Sequence, residues 1–361
     1  MDPVAPSGTV ASDLITPEEL RLAARNHGCP LEALREPITP AGLHYLLIHY
    51  DIPAVDSETF RLEIAGEVAR PLSLTLDDLR ARPRVTLPVT FECAGNGRAL
   101  LAPRPVSQPW LTEAVGTAEW GGTLLRPLLE EAGVGDRAVE ALFTGLDRGV
   151  EGGTHQAYER SLPLAEALGQ DVLLAYEMNG GPLPAQHGFP LRLVVPGWYG
   201  MTNVKWLGSV TLLDEPFGGY QNAVAYRRYD VAGEPGEPVT RMMPRSLMVP
   251  PGVPDFMSRE RVLEPGPVEL RGRAWSGWGE VERVEVSVDG GATFADAVLE
   301  EPLSATAWRG WRLDWDAVTG SHELCSRATD SAGNTQPTAA PWNLKGYANN
   351  AVERIPATVD A

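Results

Sequence analysis

Lysine is almost missing from this chain: Lys205 and Lys345 are the only two in 361 residues, so arginine carries nearly all of the positive charge. A lysine inside a motif is therefore informative. Cysteine is nearly as scarce. Cys29, Cys93 and Cys325 form an odd set without C-x-x-C spacing, which argues against a disulfide framework and against a structural zinc site. No window approaches the ~18 consecutive apolar residues that a membrane helix needs, so no membrane partner is expected. The opening residues, Met1-Asp2-Pro3-Val4-Ala5-Pro6, have no basic n-region, apolar h-region or twin arginine. A cytoplasmic location is expected from the sequence as it stands, and a periplasmic one if the N-terminus has been trimmed. The formal charge of −18 excludes nucleic acid as a partner, because its phosphates would be repelled, and suits a basic protein.

With 43% hydrophobic residues the chain is long enough for two domains, each with a core. The first ten residues read as a flexible tail. Thr16-Pro17-Glu18-Glu19 opens a helix with a Thr cap, Pro at the first helical position and an acidic first turn. Strands are expected at Leu43 to Pro53, Phe60 to Ile64, Ala141 to Phe143 and Val172 to Tyr176, and helices at Leu74 to Leu79, Thr123 to Gly133 and Leu164 to Leu168. Asn179-Gly180-Gly181 is a hairpin turn. Residues 1–40 form a tail and helix, and 41–235 an α+β domain of mixed sheets with helices. Residues 236–263, rich in proline, glycine and methionine, read as a linker and crossover. Residues 264–361 hold short strands at regular intervals, Val268 to Ala274, Val281 to Val288, Ala307 to Trp315 and His322 to Ala328, which predict an all-β sandwich of immunoglobulin type.

The chemistry concentrates in Val85 to Arg98, VTLPVTFECAGNGR. With a period of two, Val85, Leu87, Val89, Phe91 and Cys93 share one face, and Thr86, Thr90 and Glu92 the other. A thiol thus ends an apolar row, followed by two glycines and then by Arg98. The readings are a thiolate ligand beside a cation or a free core cysteine. A second centre runs from His187 to Leu213. Arg192 sits in an otherwise apolar strand, where an unpaired guanidinium would cost several kcal/mol, so either a carboxylate or a bound anion must meet it. His187 before it and Asn203-Val204-Lys205 after it make a cluster of donors suited to a phosphate or a polar heterocycle.

Phe91-Glu92-Cys93-Ala94-Gly95-Asn96-Gly97-Arg98 resembles the C-A-G-N-x-R signature of the sulfite oxidase family of molybdopterin enzymes. Gly145-Leu146-Asp147, Tyr176 to Gly180, His187-Gly188-Phe189-Pro190 and Val204 to Gly208 follow in the family's order, and Pro341 to Tyr347 resembles the end of its dimerisation domain. The resemblance implies a mononuclear molybdenum held by Cys93 and a pyranopterin dithiolene, with Asp147, His187, Arg192, Asn203, Val204 and Lys205 around the pterin. It implies Tyr226 as the active-site tyrosine, with Tyr229 as fallback, and Arg98 and Arg271 as arginines that hold the substrate, with Arg273 as the alternative to Arg271. The implied reaction is sulfite to sulfate, with electrons passed to an external acceptor such as a cytochrome c, because the chain holds no haem-binding segment, and the implied assembly is a homodimer. A nitrate or sulfoxide reductase on the same fold is the alternative, and a metal-free binding protein is a more distant one.

One departure stands out. By spacing, the substrate-binding arginine of the family's Arg-Asn-His strand motif should fall at Leu47 or Ile48, neither of which can hold an anion, while the Arg25-Asn26-His27 triplet lies on a helix, too early in the chain. His49 is then the nearest polar partner for an oxyanion. Sulfite binding is expected to be weak, and to weaken as pH rises through the His49 pKa, unless Arg104 or Arg228 replaces the lost guanidinium.

Overall fold

The computed structural model describes residues 14–360, so the expected flexible tail, and the opening residues on which location was read, lie outside the described residues. The first helix, Pro17–Arg25, has a full capping box: Thr16 accepts from the Glu19 N–H, and Glu19 accepts from the Thr16 N–H.

Two sheets build the first domain. One runs in the order Leu72–Leu74, Leu62–Gly66, Leu207–Leu213, Glu140–Glu151, Thr154–Pro163, with its only parallel pair at Leu62–Gly66 and Leu207–Leu213. The other orders Val85–Glu92, Val115–Leu124, Leu173–Met178 and Gly181–Pro182, and Arg192–Val194 also pairs with Leu173–Met178. Helix Leu125–Ala132 buries Leu125, Leu128, Leu129 and Ala132, a 3.6-period stripe that packs with Phe143, Leu162 and Val210. Truncating Leu129 to Ala in that cluster would cost about 2–5 kcal/mol. At the hairpin turn, Asn179 and Gly180 both take positive φ (51° and 77°), as a type I′ turn requires.

The second domain packs two sheets on a shared core. One holds Arg245–Met248, Gly266–Trp275, Arg309–Ala317 and Val298–Leu299, and the other includes Arg261–Leu263, Ile355–Val359, Gly320–Asp330 and Val281–Ser287. Leu270, Ala274 and Trp311 of the first meet Val284, Leu324 and Ala357 of the second.

Two expectations fail for physical reasons. The 236–263 stretch is no bare linker, since Arg245–Met248 pairs with Gly266–Trp275 and Arg261–Leu263 pairs in parallel with Ile355–Val359. Four residues flanked by prolines are too short to show a period, and a buried arginine conceals the strand. Leu43 to Pro53 is irregular, its one bridge joining His27 to Leu46. Side chains take the place of a ladder there: Ile48 N–H donates to Asn26 Oδ1 (2.8 Å), and Lys205 Nζ donates to the Leu47 carbonyl (2.8 Å).

Candidate active site

Strand Val85–Glu92 carries Val89, Phe91 and Cys93 into an apolar cluster with Trp110 and Trp120. Its opposite face is buried too, against the second domain. Thr90 Oγ1 accepts from the Trp308 N–H (2.7 Å), and the Glu92 carboxylate accepts from Arg245 Nη1 (2.9 Å), Asn96 Nδ2 (3.0 Å) and Trp275 Nε1 (2.9 Å). The loop after Cys93 is moulded by the same domain: Ala348 N–H donates to the Ala94 carbonyl (2.8 Å) and Asn349 Nδ2 to that of Gly97 (2.7 Å). Gly97 has φ of 84°, and a Cβ there would meet Asn349 Nδ2 at 2.9 Å, so glycine is required twice over. Cys93 is buried, which pushes its thiol up, while Arg98 pulls it down and the Gly95 N–H reaches the sulfur at 3.4 Å.

The sulfur stands where two cavities meet. The inner cleft, about 640 Å³ of empty volume including its mouth, is lined by Cys93, Asp147, His187, Arg192, Asn203 and Lys205, with His49 and Tyr226 at one end. Asp147 reaches it because the pairing of Glu140–Glu151 with Thr154–Pro163 shifts between Thr144 and Arg148, a bulge that holds Gly145-Leu146-Asp147. Arg192 meets no carboxylate among the described residues. Its Nη1 and Nη2 donate to the carbonyls of His187 (2.9 Å) and Asn203 (3.1 Å), its guanidinium lies over Phe91 and Trp120, and burial lowers its pKa to about 10. Burial, then Arg192, lowers Lys205 to about 7, and burial raises Asp147 to about 6. His187 is pushed to about 2 by burial.

Asp147 Oδ1 and Arg192 Nε are buried without a hydrogen-bond partner among the described residues. An acceptor and a donor left open in one cleft fit a heterocycle with both kinds of edge. No cluster of three or more His, Cys, Asp or Glu among the described residues is placed to hold a metal ion, so a metal at Cys93 would take its other ligands from a bound cofactor.

The outer chamber, about 820 Å³ including its mouth, shares Cys93, His49, Leu47 and Tyr226 with the inner cleft and adds Arg98, Trp110, Glu151 and Tyr347. Arg98 Nε donates to the Lys345 carbonyl (2.7 Å) and Nη1 to that of Gln108 (3.2 Å). Tyr347 stacks on Tyr226 with centroids 5.4 Å apart, and Arg98 lies 5.0 Å over the Tyr347 ring. His49 Nε2 and the Tyr226 hydroxyl share a 2.5 Å hydrogen bond.

Cys93, Arg98, His49 and Tyr226 are thus brought together, and so are Asp147, His187, Arg192, Asn203 and Lys205. Four expectations are corrected. Arg271 is exposed on its strand opposite Arg312 and lines neither cavity, and Arg273 is held by the Leu34 and Arg35 carbonyls and by Glu300. Val204 lies in the apolar core with its carbonyl taken by the Leu193 N–H. His49 is pushed down to about 3 by burial and by Lys205, so it is neutral across the working range and cannot impose the expected pH dependence. Arg104 pairs with buried Glu19 and Arg228 with Asp230, so neither replaces the lost guanidinium. Tyr347, Trp110 and Glu151 escaped sequence reasoning, since no local spacing ties them to the thiol. The Asn26 side chain, set aside in the sequence, bonds both Gln108 (3.1 Å) and the Ile48 N–H.

Residues 49–221 match the oxidoreductase molybdopterin binding domain, and residues 239–359 the Mo-co oxidoreductase dimerisation domain. The chain belongs to the sulfite oxidase family. It is 34% identical to a sulfite oxidase of Arabidopsis thaliana over 88% of this chain and 87% of that one. It is 38% identical to human mitochondrial sulfite oxidase over 90% of its own length, and spans 63% of that relative. In fold it is similar to the sulfane dehydrogenase SoxCD of Paracoccus pantotrophus, with a TM-score of 0.81 and 27% identity, covering 99% of this chain and 95% of that one. Members of this family are oxidoreductases, and the chain carries both the molybdopterin-binding and the dimerisation domain.

Proposed function

We propose that the chain holds molybdenum at Cys93 and oxidises sulfite to sulfate, SO₃²⁻ + H₂O → SO₄²⁻ + 2H⁺ + 2e⁻, passing the electrons singly to an external acceptor such as a cytochrome c. The observation that carries this reading is the position of one buried thiol between a cleft with open polar atoms and a chamber with a guanidinium and a tyrosine. The sulfite oxidase relatives support the substrate. Asp147, His187, Arg192, Asn203 and Lys205 would hold the pterin, and Cys93 the metal. The bound group would supply two-electron oxygen-atom chemistry. Arg98 faces the chamber with a fixed positive charge, and Tyr226, pinned by His49, presents a phenol that hydrogen-bonds without carrying charge. The 264–361 sandwich is of immunoglobulin type and joins two copies in a homodimer, a reading supported by its match to the dimerisation domain.

Metal analysis of the purified protein together with sulfite-dependent reduction of ferricyanide tests the proposal. Stoichiometric molybdenum with sulfite turnover is expected. Loaded protein that reduces nitrate and leaves sulfite untouched would move the case to the reductase alternative. Light scattering at micromolar concentration checks the dimer.

A further inference from the structure

The outer chamber is larger and less charged than sulfite requires, and part of its wall is aliphatic. The space it leaves for an occupant is about 240 Å³, well beyond what the four heavy atoms of sulfite fill. Leu47 and Ile48 stand where the family pattern puts an arginine at one of the two positions, and Leu22 and Val150 extend the aliphatic wall. Among the described residues lining it, Arg98 is the one lysine or arginine, and its Nη2 has no hydrogen-bond partner among the described residues. Glu151 opposes it. That carboxylate accepts from the Tyr50 hydroxyl (2.9 Å) and from Gln221 Nε2 (2.7 Å) and forms no ion pair among the described residues. The remaining donors are neutral, chiefly Tyr226 and the indole N–H of Trp110, which is turned to the Cys93 sulfur and lowers its pKa.

One counter-charge in a partly desolvated space balances one negative charge. A second would face Glu151 with no further lysine or arginine among the chamber's lining to offset it, and burial makes that repulsion stronger than in water. We infer that the chamber is built for an organic sulfinate, R–SO₂⁻, whose charge is held by Arg98 and whose apolar R group lies against Leu47 and Ile48. This rests on the proposed oxygen-atom chemistry and narrows its substrate. A sulfinate is sulfite with one oxygen replaced by carbon, so its sulfur keeps the reacting lone pair while it carries a single charge. The step balances as R–SO₂⁻ + H₂O → R–SO₃⁻ + 2H⁺ + 2e⁻. One S–O bond forms, no S–C bond breaks, and both electrons leave to the same one-electron acceptor.

The test uses molybdenum-loaded protein with ferricyanide, and compares benzenesulfinate with sulfite at several pH values. Benzenesulfinate is expected to show a kcat/KM roughly tenfold or more above that of sulfite, the gain from burying a ring and sparing an unpaired charge. Leu47→Arg should raise the kcat/KM for sulfite by roughly ten- to hundredfold and lower that for benzenesulfinate, at unchanged molybdenum content. Because the Leu47 backbone also holds Lys205, Glu151→Gln serves as a second variant, expected to lower the sulfite KM several-fold and to change the benzenesulfinate KM little. Titration calorimetry adds a measurement independent of turnover, with benzenesulfonate expected to bind more tightly than sulfate. Turnover of sulfite without turnover of benzenesulfinate, or tighter binding of sulfate, overturns this inference and leaves sulfite oxidation standing. Turnover of neither by loaded protein overturns the proposed function and this inference with it.

Discussion

The two cavities that meet at Cys93 follow different rules. The inner cleft is crowded with polar side chains whose charges are suppressed by burial: His187 at about 2, Lys205 near 7, Asp147 near 6. Its open atoms specify a partner with a fixed set of donors and acceptors. The outer chamber has one fixed cation, one carboxylate and a partly aliphatic wall, and constrains its occupant by size and net charge. Residues that hold a cofactor must match a fixed heterocycle, whereas residues that meet a substrate can change with it. The inner set accordingly follows the family pattern closely, and the outer set departs from it at Leu47 and Ile48, where the pattern's arginine is missing.

The largest expected effect breaks the junction itself. Cys93→Ser should leave the fold intact and reduce turnover by more than the roughly 10–100-fold that loss of a supporting residue costs, because a hydroxyl is a poor ligand for a soft metal centre. Circular dichroism checks the fold and ferricyanide reduction the rate, and near-normal activity would remove Cys93 from the mechanism. The next largest separates the thiol loop from its clamp. Arg245→Met leaves the Glu92 carboxylate buried with two neutral donors, a change that should cost about 3–5 kcal/mol in urea unfolding. A cost below 1 kcal/mol would mean that the second domain does not hold the loop. Smaller again is Tyr226→Phe, which should keep its molybdenum and lose about tenfold in kcat, as expected of one hydrogen bond at a charged centre. Tyr229→Phe should change little, since among the described residues that hydroxyl bonds only the Val224 carbonyl, at 3.3 Å. The reverse pattern would shift the catalytic register by three residues.

The apolar row ending in Cys93, the hairpin at Asn179-Gly180 and the helical stripe of Leu125–Ala132 were legible because each rests on a local period or a conformational need that neighbouring residues reveal. The Leu43 to Pro53 segment was misread as a strand because its backbone partners are the side chains of Asn26 and Lys205, distant in sequence. Glu92 looked like an ordinary outward polar residue. It is buried because Arg245 and Trp275, more than 150 positions away, arrive from the other domain. Tyr347 was hidden for the same reason, and the register that put Arg271 in the site failed because alternation along Gly266–Trp275 turns that side chain outward.

The smallest effect sharpens the contrast through the charge of the inner cleft. His44, His49 and His187 are pushed by burial to about 4, 3 and 2, below the ordinary histidine value of 6.5. Below pH 6.5 the unfolded chain therefore binds protons that the folded one refuses, and stability falls as pH falls. Asp147 acts in the opposite direction. Its folded pKa, near 6, exceeds the ordinary 3.8, so between those values the folded state keeps a proton that the unfolded state has released. That contribution grows on acidification and offsets one of the three histidines. Asp147→Asn removes the offset. The cofactor-free variant should be the more stable at pH 8, where the wild type buries an ionised carboxylate with its Oδ1 unpartnered, and should lose stability more steeply between pH 6 and 4, by about 1.4 kcal/mol per pH unit. Urea midpoints of both proteins at pH 8, 6 and 4 measure this directly. Parallel pH dependences would mean that Asp147 is ionised throughout, as an ordinary turn carboxylate open to water, and that the inner cleft does not suppress charge in the way that sets it apart from the outer chamber.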